Sequence, residues 1–196
     1  MCGRFYLDDD TAREIEKTIR MVDAKLKMES YTKDIHPTEN APIISYQQGG
    51  ILLANKKWGF PGFDSGKVIF NARAESVLEK KMFRESVLKR RLVIPAAGFY
   101  EWNRKKEKVT FTSAVKEQPI LYMAGFYNKY GNEDRFVILT TGANDSMADV
   151  HERMPLLLKH QELEEWLKND RRVEEFLYSE PHGLKRKMEY EQQMLF

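Results

Sequence analysis

Between residues 92 and 141 the chain runs through five short apolar segments: Leu92–Pro95, Gly98–Trp102, Val109–Ala114, Ile120–Tyr127 and Arg135–Thr141. Most are joined by polar turns, the pattern of strands paired antiparallel. Upstream, residues 1–7 read as a short strand, and Ile43–Tyr46 and Ile51–Ala54 flank a Gln-Gln-Gly-Gly turn as a hairpin. Helices are predicted after Asp8–Asp10, where Thr11-x-x-Glu14 forms a capping-box pattern with Ile15, Ile19, Val22 and Leu26 on one face. Further helices are predicted over 72–90 (as two short ones), 160–169 and 171–178, with a charged tail over 181–196. The expectation is an α+β fold with mainly antiparallel sheet. The βαβ alternation of a doubly wound fold is missing, as are GxGxxG, the P-loop and the GxSxG elbow.

The 196 residues carry no Ser/Gly/Pro-rich linker and no repeat, so one domain over 1–196 is expected. Lys+Arg 32 against Asp+Glu 30 leaves a net charge of +2, so any nucleic-acid site must be a local patch. No apolar run approaches the ~18 residues of a membrane span, and no signal-peptide core opens the chain; a cytoplasmic protein is the default. A single cysteine excludes an intrachain disulfide framework and every multi-cysteine zinc motif. The four histidines form no HExxH, so neither a metal nor another cofactor is expected.

That cysteine is Cys2. Removal of Met1 would leave it with a free α-amine and a thiol on adjacent carbons. An α-amine has a pKa near 8, about two units below lysine, so a useful fraction is nucleophilic at neutral pH. A 1,2-aminothiol attacks an aldehyde through nitrogen to give an imine, and sulfur then closes a five-membered thiazolidine. The alternative is a small buried residue in the first strand.

Four other segments bear on that choice. Asn71-Ala-Arg73 follows a Val-Ile-Phe strand, where Asn71 can orient an amine or thiol and Arg73 can hold a phosphate; an N-cap with a solvated Arg is the alternative. Gly98-Phe-Tyr-Glu101-Trp102 sets one carboxylate among aromatics, suited to proton transfer, or else at a solvent edge. His151 stands before an apolar run and can exchange protons near neutral pH, although a lone His is commonly structural. Arg4 lies two residues from Cys2, and Trp58 and Phe60 occupy a Gly/Pro loop where rings either stack on bases or plug a sheet edge.

In order, Met1-Cys-Gly-Arg-Phe5, Pro37-Thr38, Trp58-Gly59, Asn71-Ala-Arg-Ala-Glu75, Ile94-Pro95 through Gly98-Phe-Tyr-Glu-Trp102, Thr140-Thr-x-Ala-Asn144 and His151-x-Arg-Met-Pro155 span most of the chain. Together they resemble the SOS response-associated peptidase (SRAP) family, the abasic-site processing proteins. The resemblance implies a distorted β-barrel with flanking helices and a basic groove for single-stranded DNA containing abasic sites. It implies that Cys2 captures the ring-opened aldehyde as a thiazolidine crosslink, with Asn71, Glu101 and His151 as its catalytic partners. Arg4, Arg73 and Arg153 would bind flanking phosphates, and Trp58 and Phe60 would support the bases. Autocatalytic removal of Met1, hydrolase and lyase chemistry, a monomer, and association with the nucleoid on damaged DNA are further expectations. A thiol peptidase acting on other proteins, or a noncovalent single-stranded-DNA module, are the competing functions.

Overall fold

The computed structural model describes residues 2–18, 33–47, 50–64 and 66–188. The chain opens with β1 (Phe5–Leu7), α1 (Asp9–Thr18), β2 (Lys33–Ile35), β3 (Asn40–Gln47) and β4 (Gly50–Trp58). Three short strands follow: β5 (Phe60–Pro61), β6 (Val68–Ile69) and β7 (Asn71–Arg73). After α2 (Lys81–Lys89) come β8 (Arg91–Ala96), β9 (Gly98–Trp102), β10 (Lys108–Ser113), β11 (Leu121–Tyr130) and β12 (Glu133–Gly142). The chain ends with β13 (Arg153–Pro155), β14 (Leu157–Leu158), α3 (Leu163–Lys168), α4 (Val173–Leu177) and β15 (Leu184–Met188).

All five apolar segments form strands, and alternation along them decides the packing. Strands β3, β4, β8, β11 and β12 pair in a ring, β12–β4–β3–β8–β11–β12, that closes into a barrel. Closure depends on a short parallel contact, Arg135 with Lys57 and Phe136 with Trp58, in an otherwise antiparallel ring. A closed ring leaves no edge to aggregate. Where β4 turns away, β7 takes its place against β12, pairing Asn71 with Ile138 and Arg73 with Thr140.

A second sheet has the order β15-β10-β9-β1-β2. The chain passes from barrel to sheet between β8 and β9 at Ala97, whose N–H donates to the Tyr6 carbonyl at 2.9 Å. The next residue must be glycine: a Cβ at Gly98 would stand 2.5 Å from the Phe111 carbonyl oxygen and 2.7 Å from the Tyr6 ring.

Two local expectations are corrected, the cap of α1 and the tail. Asp8, rather than Thr11, caps α1, its Oδ1 accepting the Thr11 N–H at 2.8 Å. Of the predicted apolar face, Ile15 is buried, while Ile19, Val22 and Leu26 lie outside the described residues. The charged tail over 181–196 is in part a strand: Leu184–Met188 pairs with β10 over five residues, and 189–196 lie outside the described residues. Its lysines mark an edge strand, where charge protects the unpaired side.

Candidate active site and its approaches

Cys2 lies immediately before β1 and is buried. The Asn71 amide, at the start of β7, donates to the Cys2 carbonyl at 3.1 Å and so ties the chain terminus to the barrel wall. The other amide atom, Asn71 Oδ1, is buried and has no hydrogen-bond partner among the described residues. Burial pushes the Cys2 thiol well above its ordinary range, and the negative charge of Glu101 adds to that rise. The sulfur is therefore held as the neutral thiol at physiological pH.

Glu101 reaches this point because β9 alternates. Phe99 and Glu101 face inward and are buried, while Tyr100 is half-buried and Trp102 is 40% exposed on the other face. The carboxylate is thus not at a solvent edge. Antiparallel pairing of Phe5 with Phe99 aligns the two strands that carry Cys2 and Glu101.

His151 lies two residues before β13, and Arg153 opens that strand. His151 Nδ1 lies 2.9 Å from the Arg153 backbone nitrogen and 3.2 Å from the Arg153 carbonyl oxygen. Pairing of β13 with β12 and of β12 with β7 sets Arg153 beside Arg73 and Glu75. The Arg153 guanidinium is already engaged: two nitrogens grip the Glu75 carboxylate at 2.7 Å each, and one also donates to the Thr140 carbonyl at 2.7 Å. That fork holds the Glu75 carboxyl below its usual range. The guanidinium that the resemblance assigns to a phosphate is thus paired with Glu75 in this structure.

Trp58 and Phe60 are also corrected. Both are fully buried, so neither ring is available to a base. The Trp58 indole packs on Phe5 at 5.1 Å and Phe136 at 6.2 Å, and its Nε1 donates to the Phe70 carbonyl at 2.8 Å. It braces the residue before Asn71 and the strand after Cys2 from behind. Gly59 makes that turn possible with φ +106°, and a Cβ there would stand 2.2 Å from Val68 Cγ1.

Sequence reasoning missed the ring that does point outward. Phe63 in the same loop is 90% exposed and borders a cleft of about 680 Å³ lined also by Asn71, Arg73, Lys80, Lys81 and Met82. Arg73, Lys80 and Lys81 have no ion-pair partner among the described residues. A Gly/Pro loop does not reveal which of its rings turns inward. The signal that was available was the Lys80-Lys81 pair, which begins seven residues after Arg73.

Arg4 lies on the outer face, 3.8 Å from Asp34 and with its guanidinium 5.4 Å from the Trp102 ring centre. A second cleft, about 740 Å³ between α1 and the 113–120 loop, contains none of the sequence-selected site residues. No cluster of three metal-ligating side chains occurs among the described residues.

The chain that carries this buried Cys2, tied to Asn71, is similar to known proteins. A profile of the family described as SOS response associated peptidase (SRAP) matches residues 1–192. The chain belongs to the SRAP family. Abasic site processing protein YoaM of Bacillus subtilis is 31% identical, over 91% of this chain and 84% of that relative. Abasic site processing protein YoqW of Bacillus phage SPbeta is 32% identical over 85% and 80%. A crystal structure of a Bacteroides thetaiotaomicron protein superposes with a TM-score of 0.77 at 22% identity, covering 95% of this chain and 91% of that one. A Bordetella bronchiseptica protein gives 0.76 at 23% identity, over 95% and 99%. These neighbours share the barrel fold seen here. No helix among the described residues is long and apolar enough to cross a membrane.

Proposed function

We propose that this SRAP protein captures abasic sites in single-stranded DNA covalently through Cys2 once Met1 has been removed. The observation that carries this reading is the convergence of Asn71 and Glu101 on Cys2 beside a cleft whose cations are unpaired among the described residues. An unpaired cation at the edge of a cleft suits a phosphate backbone.

The chemistry balances without a cofactor. The Cys2 α-amine adds to the C1′ aldehyde of the ring-opened sugar, and the resulting carbinolamine loses one water to give an imine. The thiol then adds across the C=N bond: sulfur bonds to C1′ and the thiol proton passes to nitrogen. A thiol held neutral supplies that proton itself. Glu101 moves protons between the amine, the sugar oxygen and the leaving water. Asn71 holds the Cys2 backbone, and its unpaired buried oxygen offers an acceptor to a freed amine. The His151 ring, held through Nδ1 against the Arg153 backbone, is a second acid/base for closing or reopening the adduct. Arg73, Lys80 and Lys81 bind phosphates, and Phe63 supports a base next to the lesion.

The same Cys2 is the nucleophile for removal of Met1, with Glu101 or His151 exchanging the proton. A peptidase acting on other proteins is the weaker reading. Cys2 is buried and its carbonyl is tied to Asn71, which suits attack on the bond to its own Met1 better than on a second protein's chain.

The test is denaturing electrophoresis after incubation with an abasic oligonucleotide. Cys2→Ala is expected to abolish the adduct while noncovalent affinity for the strand is kept. An adduct of wild-type yield from Cys2→Ala would overturn the mechanism.

A further inference from the structure

Glu75 follows β7 by two residues and takes no part in the chemistry set out above, yet it joins the strand of Asn71 to the strand of Arg153. Two guanidinium nitrogens of Arg153 donate to its carboxylate at 2.7 Å each, and one of them also donates to the Thr140 carbonyl at 2.7 Å. The Thr141 hydroxyl lies 3.5 Å from the same carboxylate, whose charged form the Glu75 and Gly142 N–H groups also favour. The Arg153 side chain is 13% exposed, so this fork is held in one geometry rather than loose in solvent.

The strand it secures is a weak one. β13 has three residues and ends the order of its sheet, next to β12. Its first residue, Arg153, makes the outermost pair of that ladder, with Gly142. The end pair of so short a strand frays unless something ties it down. The His151 ring leans on that pair, with Nδ1 2.9 Å from the Arg153 nitrogen and 3.2 Å from the Arg153 carbonyl oxygen. The His151 backbone is held separately, its N–H donating to the Met147 carbonyl at 3.1 Å. The preceding turn therefore sets where His151 stands, and Arg153 sets the direction of its ring.

We propose that Glu75 is a positioning residue: its grip on Arg153 pins the start of β13, and the Arg153 backbone in turn aims the His151 imidazole. The inference rests on the reading of His151 as the second acid/base at the Cys2 adduct. A carboxylate suits the task because its two oxygens match two parallel N–H donors, whereas a glutamine amide offers one acceptor oxygen. Misplacing a reacting group by about 1 Å costs up to ~10²-fold in rate, so an anchor that never touches the sugar can govern the step.

The experiment is a double-mutant cycle of Glu75→Gln and His151→Ala with an abasic oligonucleotide at saturating protein. It reads single-turnover rates of adduct formation, and of reopening during a chase with unlabelled abasic strand. Glu75→Gln should slow the His151-dependent step about 10-fold while strand affinity changes by less than about twofold. In the His151→Ala background the same change should alter that rate by less than about twofold. Long-range proton–nitrogen spectra of the free protein give a second readout. The His151 ring signals should move in Glu75→Gln, and those of His36, His160 and His182 should hold. Equal slowing in both backgrounds, a changed affinity in place of a changed rate, or unmoved His151 signals would each overturn the inference. Unchanged rates in His151→Ala would sink the His151 role and this inference together, leaving capture by Cys2 intact. No adduct from the wild type, with the spectral shift present, would sink the Cys2 reading alone.

Discussion

The barrel and the rim that holds Cys2 are built from neighbouring strands, yet they treat polar atoms differently. On the barrel strands Ile43, Leu53, Leu92, Ile94, Phe126 and Ile138 are all fully buried and apolar. At the rim, Asn71 Oδ1, Arg4 Nε and Arg153 Nε are buried without a hydrogen-bond partner among the described residues. The barrel is not free of such atoms, since Ser45 Oγ in β3 is another. An unsatisfied buried polar group costs about 1–3 kcal/mol, so the rim is the strained part of the molecule and the barrel the part that holds it in place.

The contrast is sharpest within one loop, and there the largest effect is expected. Trp58→Ala removes the ring that braces Phe5 and Phe70 and should cost about 3–5 kcal/mol in urea unfolding. Phe63→Ala, five residues on, should leave stability within ~0.5 kcal/mol while weakening single-strand binding. Equal destabilisation by both changes would break the comparison.

At the rim, Glu101→Gln keeps shape and removes charge. It should slow crosslinking by about 10²-fold, the lower range for a lost general acid/base, with a smaller change in noncovalent DNA affinity. Single-turnover kinetics at saturating protein separates the two. Equal losses in rate and affinity would make Glu101 a structural residue only.

The smallest effect concerns the Arg153–Glu75 fork. Arg153 lowers the Glu75 carboxyl in the folded state, so its stabilisation is fully present above the unfolded value near 4.5 and is lost as pH falls through the lower folded one. The difference in urea midpoint between wild type and Glu75→Gln should be constant above pH 4.5 and should narrow below it. A difference that does not vary with pH would show that the fork adds nothing through charge.

Much of the barrel was legible because alternation and turn chemistry are local signals. The five segments from Leu92 to Thr141 and the hairpin after Asn40 need only their own residues to be read. The closure through Phe136 and Trp58 was not legible, because a parallel contact between segments 78 residues apart leaves no local pattern. The same distance hid the capture of Arg153 by Glu75. Leu184–Met188 read as part of a tail over 181–196 because an edge strand carries its charges like one.

For the site, Cys2, Asn71 and Glu101 were legible as chemistry, and the fold brings them together. Trp58 and Phe60 were legible only as aromatics in a turn-rich stretch. Gly59 with its positive φ, and its contact with Val68, settle which rings go inside, and such geometry has no one-residue signature.

The central claim is that Cys2 bonds to the lesion, and intact-mass spectrometry of the purified protein before and after incubation with an abasic oligonucleotide tests it most directly. The account predicts a chain lacking Met1, and then a single adduct weighing that chain plus the oligonucleotide minus one water. A chain lacking Met1 that stays unmodified beside the abasic strand would contradict it.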